Sequence, residues 1–152
     1  MSDTVCDTKL NVMFYPESVA VVGASTRPGT VGNDIFRNLI FNEFNGSVYP
    51  VNPKAKAILG VHCYASLKAI PASVDLALLI VPASAVLDVV DEAIEKQVKA
   101  LVVISAGFKE IGGKGAELEL KLRQKVQQAG VPLIGPNCLG IINTDPTVRM
   151  NA

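Results

Sequence analysis

Apolar residues fall along this chain in two alternating rhythms. Uninterrupted runs rich in Val, Leu, Ile and Ala cover Ser18–Val22, Ser47–Val51, Leu76–Val81, Ala100–Ile104 and Pro132–Ile134, with a possible short extra one at Leu139–Asn143. Continuous rather than alternating apolar character marks strands buried on both faces, as in a parallel sheet. Between the runs the spacing changes to three and four: Val31, Ile35 and Leu39; Val86, Val90 and Ala93 or Ile94; Leu118, Leu122 and Val126, with Ala129 one turn further. That spacing predicts three amphipathic helices. Gly130 stands where the third helix needs a left-handed cap, and Pro132 follows it. Lys54–Pro71, with Gly60 and mixed polarity, reads as an excursion holding at most a short helix or edge strand.

Strand–helix alternation with short connections builds right-handed βαβ crossovers. The predicted fold is therefore α/β: a Rossmann-like, doubly wound, mostly parallel five-stranded sheet with helices on both faces. Residues 1–13 read as a loose or extended N-terminal arm. Composition narrows the class. At 152 residues, 49% of them apolar, the chain has the size of one domain with a good core. Fourteen basic residues balance fourteen acidic ones, so no overall basic field draws nucleic acid or a membrane, and any anion site must be local. Cys6, Cys63 and Cys138 are odd in number, far apart and without a C-x-x-C pair. They suit reduced thiols better than a disulfide frame or zinc site, and no metal is expected. No apolar run reaches about eighteen residues, and nothing before Asp7 reads as a signal peptide. The expectation is a soluble, cytoplasmic protein.

In a doubly wound sheet ligands sit outside the carboxyl ends of the strands. The segments that follow the five strands are Gly23–Gly32, Asn52–Lys54, Pro82–Ser84, Ser105–Glu110 and Gly135–Gly140. The first reads G-x-S-x-x-x-G-x-x-G through Gly23, Ser25, Gly29 and Gly32. Glycines let backbone N–H groups approach a ligand, and the following helix N-terminus adds partial positive charge, so the loop suits a nucleotide phosphate. It is longer than the dinucleotide fingerprint G-x-G-x-x-G. The second segment carries an informative absence. An NAD-binding domain ends its second strand with an acidic residue for the ribose hydroxyls, whereas here Asn52-Pro53-Lys54 stands. A lysine favours an extra phosphate, the 2′-phosphate of NADP or the 3′-phosphate of coenzyme A, and Arg27 offers a second cation. The competing reading leaves Lys54 and Arg27 as solvated loop cations.

Five stretches, in this order, closely resemble one family. They are Phe14-Tyr15-Pro16-Glu17-Ser18-Val19-Ala20-Val21-Val22-Gly23-Ala24-Ser25, Arg27-Pro28-Gly29, Val48-Tyr49-Pro50-Val51-Asn52-Pro53-Lys54, Ile104-Ser105-Ala106-Gly107-Phe108, and Gly135-Pro136-Asn137-Cys138-Leu139-Gly140-Ile141-Ile142-Asn143-Thr144. The family is the N-terminal CoA-binding domain of ADP-forming (NDP-forming) acyl-CoA synthetases, relatives of the succinyl-CoA synthetase α subunit. The resemblance covers about residues 14 to 152. It implies a CoA-binding Rossmann-like domain over 14–144 and, over 145–152, the start of a linker to a further domain. Such enzymes make acyl-CoA from acid, CoA and a nucleoside triphosphate through an acyl phosphate and a phosphorylated histidine of the next domain. The implied partners are the domains or subunits carrying that phosphohistidine and the ATP-grasp parts, and this region alone is not catalytic. The single histidine here, His62, matches no catalytic position of the family and reads as a surface or packing residue.

Carried over by position, the resemblance assigns Gly23, Ala24, Ser25, Arg27, Pro28 and Gly29 to the CoA diphosphate and pantetheine loop. Asn52, Pro53 and Lys54 would face the adenosine and its 3′-phosphate. Val81, Pro82 and Ala83 would flank the adenine or pantetheine arm, and Ser105, Ala106, Gly107 and Phe108 would form the opposite wall. Where the succinyl-CoA synthetase branch carries an acidic residue, this chain has Ala106. Core packing is the equal alternative for Phe108. Gly135, Pro136, Asn137 and Cys138 would approach the thiol end, with a structural role preferred over a nucleophilic one for Cys138. Two other functions stay open: an NADP-linked oxidoreductase domain, and a stand-alone CoA-binding or regulatory module, as also found at the front of protein lysine acetyltransferases.

Overall fold

The apolar runs pair into one sheet whose strand order reverses beside its first strand. The computed structural model describes residues 8–152. Cys6 and the first seven residues of the expected arm lie outside them. The chain runs α1 (Thr8–Phe14), β1 (Ser18–Val22), α2 (Val31–Phe41), β2 (Ser47–Val51), the short pair β3 (Ala57–Ile58) and β4 (Val61–His62), then β5 (Leu76–Leu79) and α3 (Ala83–Glu95). It continues through β6 (Ala100–Val103), a 3-10 turn at Lys109–Ile111, α4 (Gly113–Ala129), β7 (Leu133–Ile134), β8 (Ile142–Asn143) and β9 (Met150–Asn151). The main sheet has the order β2-β1-β5-β6-β7, and every pair in it is parallel. The doubly wound expectation holds. Because β2 lies on one side of β1 and β5 on the other, the switch point falls between β1 and β5.

The continuous apolar runs follow from burial on two sides. Along β1, Val19 and Val21 enter one apolar layer while Ala20 and Val22 enter the other; Leu76 and Leu78 part from Ala77 and Leu79 in the same way. The first layer is covered by α2 through Ile35, Phe36 and Leu39 and by the C-terminal residues Ile141, Val148 and Met150. The second is covered by α3 through Val86 and Val90 and by α4 through Leu122 and Val126. Full burial of a Leu or Val side chain is worth about 1.5–3 kcal/mol, so both layers are needed to hold the sheet. Gly130 caps α4 at φ 67°, ψ 22°, in the left-handed conformation expected of it.

Four details differ from the sequence reading. Residues 8–13 are not a loose arm: α1 spans them, and Met13 is only 1% exposed in the first layer. Met13 lay outside the periodic segments, so its burial had no local signal. Val31 is 54% exposed, and α2 buries Gly32, Asn33, Ile35, Phe36 and Leu39. Its first turn sits against the glycine loop so closely that a Cβ on Gly32 would come 2.0 Å from the carbonyl oxygen of Gly23, which rotates Val31 outward. The excursion holds two strands rather than at most one, an antiparallel β3–β4 pair, and Tyr64 then bridges to Val51 of β2. Finally, residues 145–152 turn back onto the domain. Val148, Met150 and Ala152 are buried, Ile141 and Ala152 exchange backbone hydrogen bonds of 2.6 and 2.9 Å, and Asn45 N–H donates to Val148 O at 3.0 Å. Among the described residues no helix is long and apolar enough to cross a membrane.

At the amino ends of the strands the sheet is closed by one buried carboxylate. Asp75, 6% exposed, accepts from the Glu17 N–H at 2.8 Å and pairs with Lys99 at 2.6 Å, while Ser18 Oγ accepts from the Asp75 N–H at 2.9 Å and donates to Ser73 O at 3.2 Å. Burial pushes the Asp75 carboxyl up, but the Lys99 ammonium and the Glu17 N–H outweigh it, and the group stays below its ordinary value. A lowered folded-state pKa contributes stability above the unfolded value, and that contribution fades as pH falls through the folded one. Asp75→Asn is expected to cost about 1–3 kcal/mol at pH 7, by loss of charge-assisted hydrogen bonds. The gap between variant and parent should close as urea melts are taken from pH 5 to pH 2; a gap independent of pH would show that the carboxylate charge is idle.

Candidate functional site

At the carboxyl ends, the loop after β1 and the turn after β2 are tied together by backbone and amide hydrogen bonds. Gly23 N–H donates to Val51 O at 3.0 Å, and Asn52 Nδ2 donates to Ala24 O at 2.8 Å. The Asn52 Oδ1 accepts from the Lys54 N–H at 2.8 Å, an Asx turn that sets the course of Asn52-Pro53-Lys54. Gly23 is required here twice over. Its φ is +93°, and a Cβ would lie 2.1 Å from the carbonyl oxygen of Ile80, at the end of β5. The loop thus leaves β1 pressed on the neighbouring strand at the switch point.

Beyond Gly23 the loop is shaped by its own polar groups. Ser25 Oγ accepts from the Arg27 N–H at 3.1 Å, Thr30 Oγ1 donates to Arg27 O at 2.8 Å, and Asn33 Nδ2 of α2 donates to Ser25 O at 2.7 Å. Thr30 precedes the first residue of α2 but gives the helix no side-chain cap. Its hydroxyl is committed to the loop, and helix-start N–H groups without such a cap suit an anion. Arg27, Pro28 and Gly29 are exposed at the loop tip, as are Pro53 and Lys54 across from it. Sequence reasoning missed Asn33. Its signal was a buried asparagine within the first two turns of an otherwise apolar helix face.

On the far side of the switch point, Ser105 ties two strand ends. Its Oγ lies 2.5 Å from Val81 O and 3.3 Å from Leu79 O, donating across from β6 to β5. Pro82 precedes α3 with φ −52°, ψ 142°, and Val81 and Ala83 flank it half-buried. Gly107 comes close to Ala83, and Ala106 is exposed between Ser105 and Gly107. Phe108 departs from the ligand-wall expectation: its side chain is 0% exposed within the α3–α4 layer, so it packs the core and can meet a ligand only through its backbone. The Glu110 carboxylate accepts from the N–H groups of Gly107 at 2.5 Å and Phe108 at 3.1 Å, a clip the sequence did not announce. The Gly107 N–H, with those of Glu110 itself and Phe108, holds the Glu110 carboxyl below its ordinary value.

The last segment closes the crest. Asn137, at φ 52°, donates its N–H to Ser105 O at 3.0 Å, after a cis Gly135–Pro136 bond. Cys138 is half-buried with its Sγ 3.4 Å from Val103 O. The predicted residues therefore line one crest in two groups: Gly23–Gly29 with Asn52–Lys54, and Val81–Ala83 with Ser105–Gly107 and Asn137. His62 stands outside both, exposed on β4 with its ring 4.8 Å from that of Tyr64.

The chain matches the CoA binding domain family over residues 17–144. It is 53% identical over 140 residues to the ADP-forming acetate–CoA ligase I of Archaeoglobus fulgidus, covering 92% of this chain and 20% of the relative. It is 43% identical to the α subunit of the ADP-forming acetate–CoA ligase II of Pyrococcus furiosus, covering 89% of this chain and 29% of that subunit. The structure superposes at a TM-score of 0.87, with 39% identity, on a dinucleotide forming acetyl-coenzyme A synthetase 1 from Ca. Korarchaeum cryptofilum in complex with phosphate and ADP, over 93% of this chain and 30% of that one. The chain thus spans about a fifth to a third of the length of these relatives. They lend no support to the oxidoreductase, stand-alone module or lysine acetyltransferase readings. A glycine loop pressed on the switch point, a lysine in place of the ribose-binding acid, and a family match across most of the sequence agree: the chain belongs to the CoA-binding domain family, as a domain related to the ADP-forming acetyl-CoA synthetases.

Proposed function

We propose that this chain holds coenzyme A along the crest, with the diphosphate at Gly23–Gly29 and the α2 start, the 3′-phosphate at Lys54, and the pantetheine arm running past Val81–Ala83 toward Ser105–Gly107 and Asn137. The observation that carries the reading is the junction of the two phosphate-suited segments: Asn52 Nδ2 on Ala24 O and Gly23 N–H on Val51 O bring Lys54 and the Arg27 loop to the same side of the switch point. The two joined segments carry two exposed cations, Arg27 and Lys54, in a chain whose formal net charge is zero. In this reading the bound CoA is a substrate delivered to an acyl phosphate made elsewhere. The rest of the reaction, including the phosphorylated histidine, belongs to further domains or subunits of an ADP-forming acid–CoA ligase.

Calorimetric titration with CoA, dephospho-CoA and NADPH tests the ligand. CoA should bind more tightly than dephospho-CoA, and Lys54→Ala should weaken CoA by about fivefold, roughly 1 kcal/mol for an exposed charge pair, while leaving dephospho-CoA unchanged. The CoA advantage should shrink with added salt. Tight NADPH binding without CoA binding would sink the reading. A second prediction concerns the loop itself. Gly23→Ala forces a positive φ on alanine and a collision with Ile80 O, together about 2–4 kcal/mol, and should cost more than tenfold in CoA affinity. Gly29→Ala, at φ +76° but with open space around it, should cost only about 1–2 kcal/mol in a thermal or urea melt.

A further inference from the structure

Three rings meet beside the turn after β2. Tyr49 of β2 and Tyr64 lie 6.0 Å apart between ring centres at 73°, and His62 of β4 meets Tyr64 at 4.8 Å and 88°, so the three form an edge-to-face row. The middle ring is anchored by its backbone: Tyr64 N–H donates to Pro50 O, and Tyr64 O accepts from the Asn52 N–H, both at 2.9 Å. Tyr64 is therefore a strand neighbour of the residue that opens Asn52-Pro53-Lys54. It is half-buried on the α3–α4 layer, whose half-buried rim also contains Val81 and Ala83, across the switch point. Among the described residues neither the Tyr49 nor the Tyr64 hydroxyl has a hydrogen-bond partner, so the rings are held by packing alone.

We propose that Tyr64 is the stacking platform for the purine base of the bound nucleotide, with Tyr49 and His62 bracing its ring. The inference rests on the coenzyme A reading and goes beyond it. A 3′-phosphonucleoside carries base and phosphate on one ribose, so a phosphate at Lys54 leaves the base within one sugar's length of Asn52–Lys54, beside which the half-buried Tyr64 is anchored. Stacking uses the ring and not the hydroxyl. It favours any purine, without reading the base edge.

The test compares coenzyme A with 4′-phosphopantetheine, which lacks the adenosine, by calorimetry on this chain and two variants. Tyr64→Phe should leave the CoA Kd within about twofold, and Tyr64→Leu should raise it about ten- to hundredfold without changing the 4′-phosphopantetheine Kd. Equal losses for both ligands, or CoA affinity unmoved by Tyr64→Leu, overturn the proposal. Emission provides a readout independent of the leucine variant's folding. The chain has three tyrosines and no tryptophan, so adenosine 3′,5′-bisphosphate should quench tyrosine emission in the parent and much less in Tyr64→Phe. Equal quenching in the two overturns the platform. A parent chain that fails to bind CoA overturns the reading beneath it, an outcome distinct from CoA binding indifferent to Tyr64.

Discussion

Burial of both faces of the parallel sheet is the constraint on which everything else depends. With Val19 and Val21 turned into one layer and Ala20 and Val22 into the other, the central strands have no wet face on which to carry a polar site. Polar chemistry is driven to the strand ends, and the two ends are used differently. The amino ends are sealed by Asp75, whose lone pairs are spent on Glu17 and Lys99. The carboxyl ends keep an uncapped helix start, two exposed cations and loops formed by short-range hydrogen bonds. One end stabilises, and the other is the end proposed to receive the ligand.

The fold was legible because its main signal is local. Unbroken apolar runs fixed β1 and β2 to the residue, and the periodic segments located α2, α3 and α4. What escaped depends on contacts distant in sequence. Met13 is buried because a layer far along the chain needs covering, and nothing in residues 8–13 announces it. Residues 145–152 were expected to begin a linker because the family resemblance implied one. Their burial comes from Val148 and Met150 filling the first layer, with Arg149 paired to Glu43 at 2.5 Å, more than a hundred residues earlier. The outward rotation of Val31 has the same origin, since periodicity fixes a helix's period but not which residues meet the loop packed upon it.

The site was legible as a set of strand-end segments, less so as a set of side chains. Asn52 was read as facing the adenosine; its amide also braces two loops, Nδ2 donating to Ala24 O and Oδ1 accepting from the Lys54 N–H. Phe108 belonged to the core because the turn after β6 dips into the α3–α4 layer before rising again. Asn33 and Glu110 were missed for a common reason. Each acts through side-chain hydrogen bonds to backbone groups, Asn33 to the preceding loop and Glu110 within its own turn, and such a role leaves no motif of its own.

Glu110 also gives the crest a direction. By taking the amide protons of Gly107 and Phe108, its carboxylate removes the donors that a turn after β6 would otherwise offer an anion, and places a negative charge in their stead. The β1–β2 half keeps Arg27 and Lys54. A molecule lying across the strand ends therefore meets cations beside β1 and β2 and a carboxylate in the turn after β6. For a ligand held with its phosphates at the β1–β2 half, as proposed above, the uncharged tail lies toward β6 and β7. On the coenzyme A reading, the strand order and this one clipped turn together favour the orientation that leads the uncharged end away from the cations.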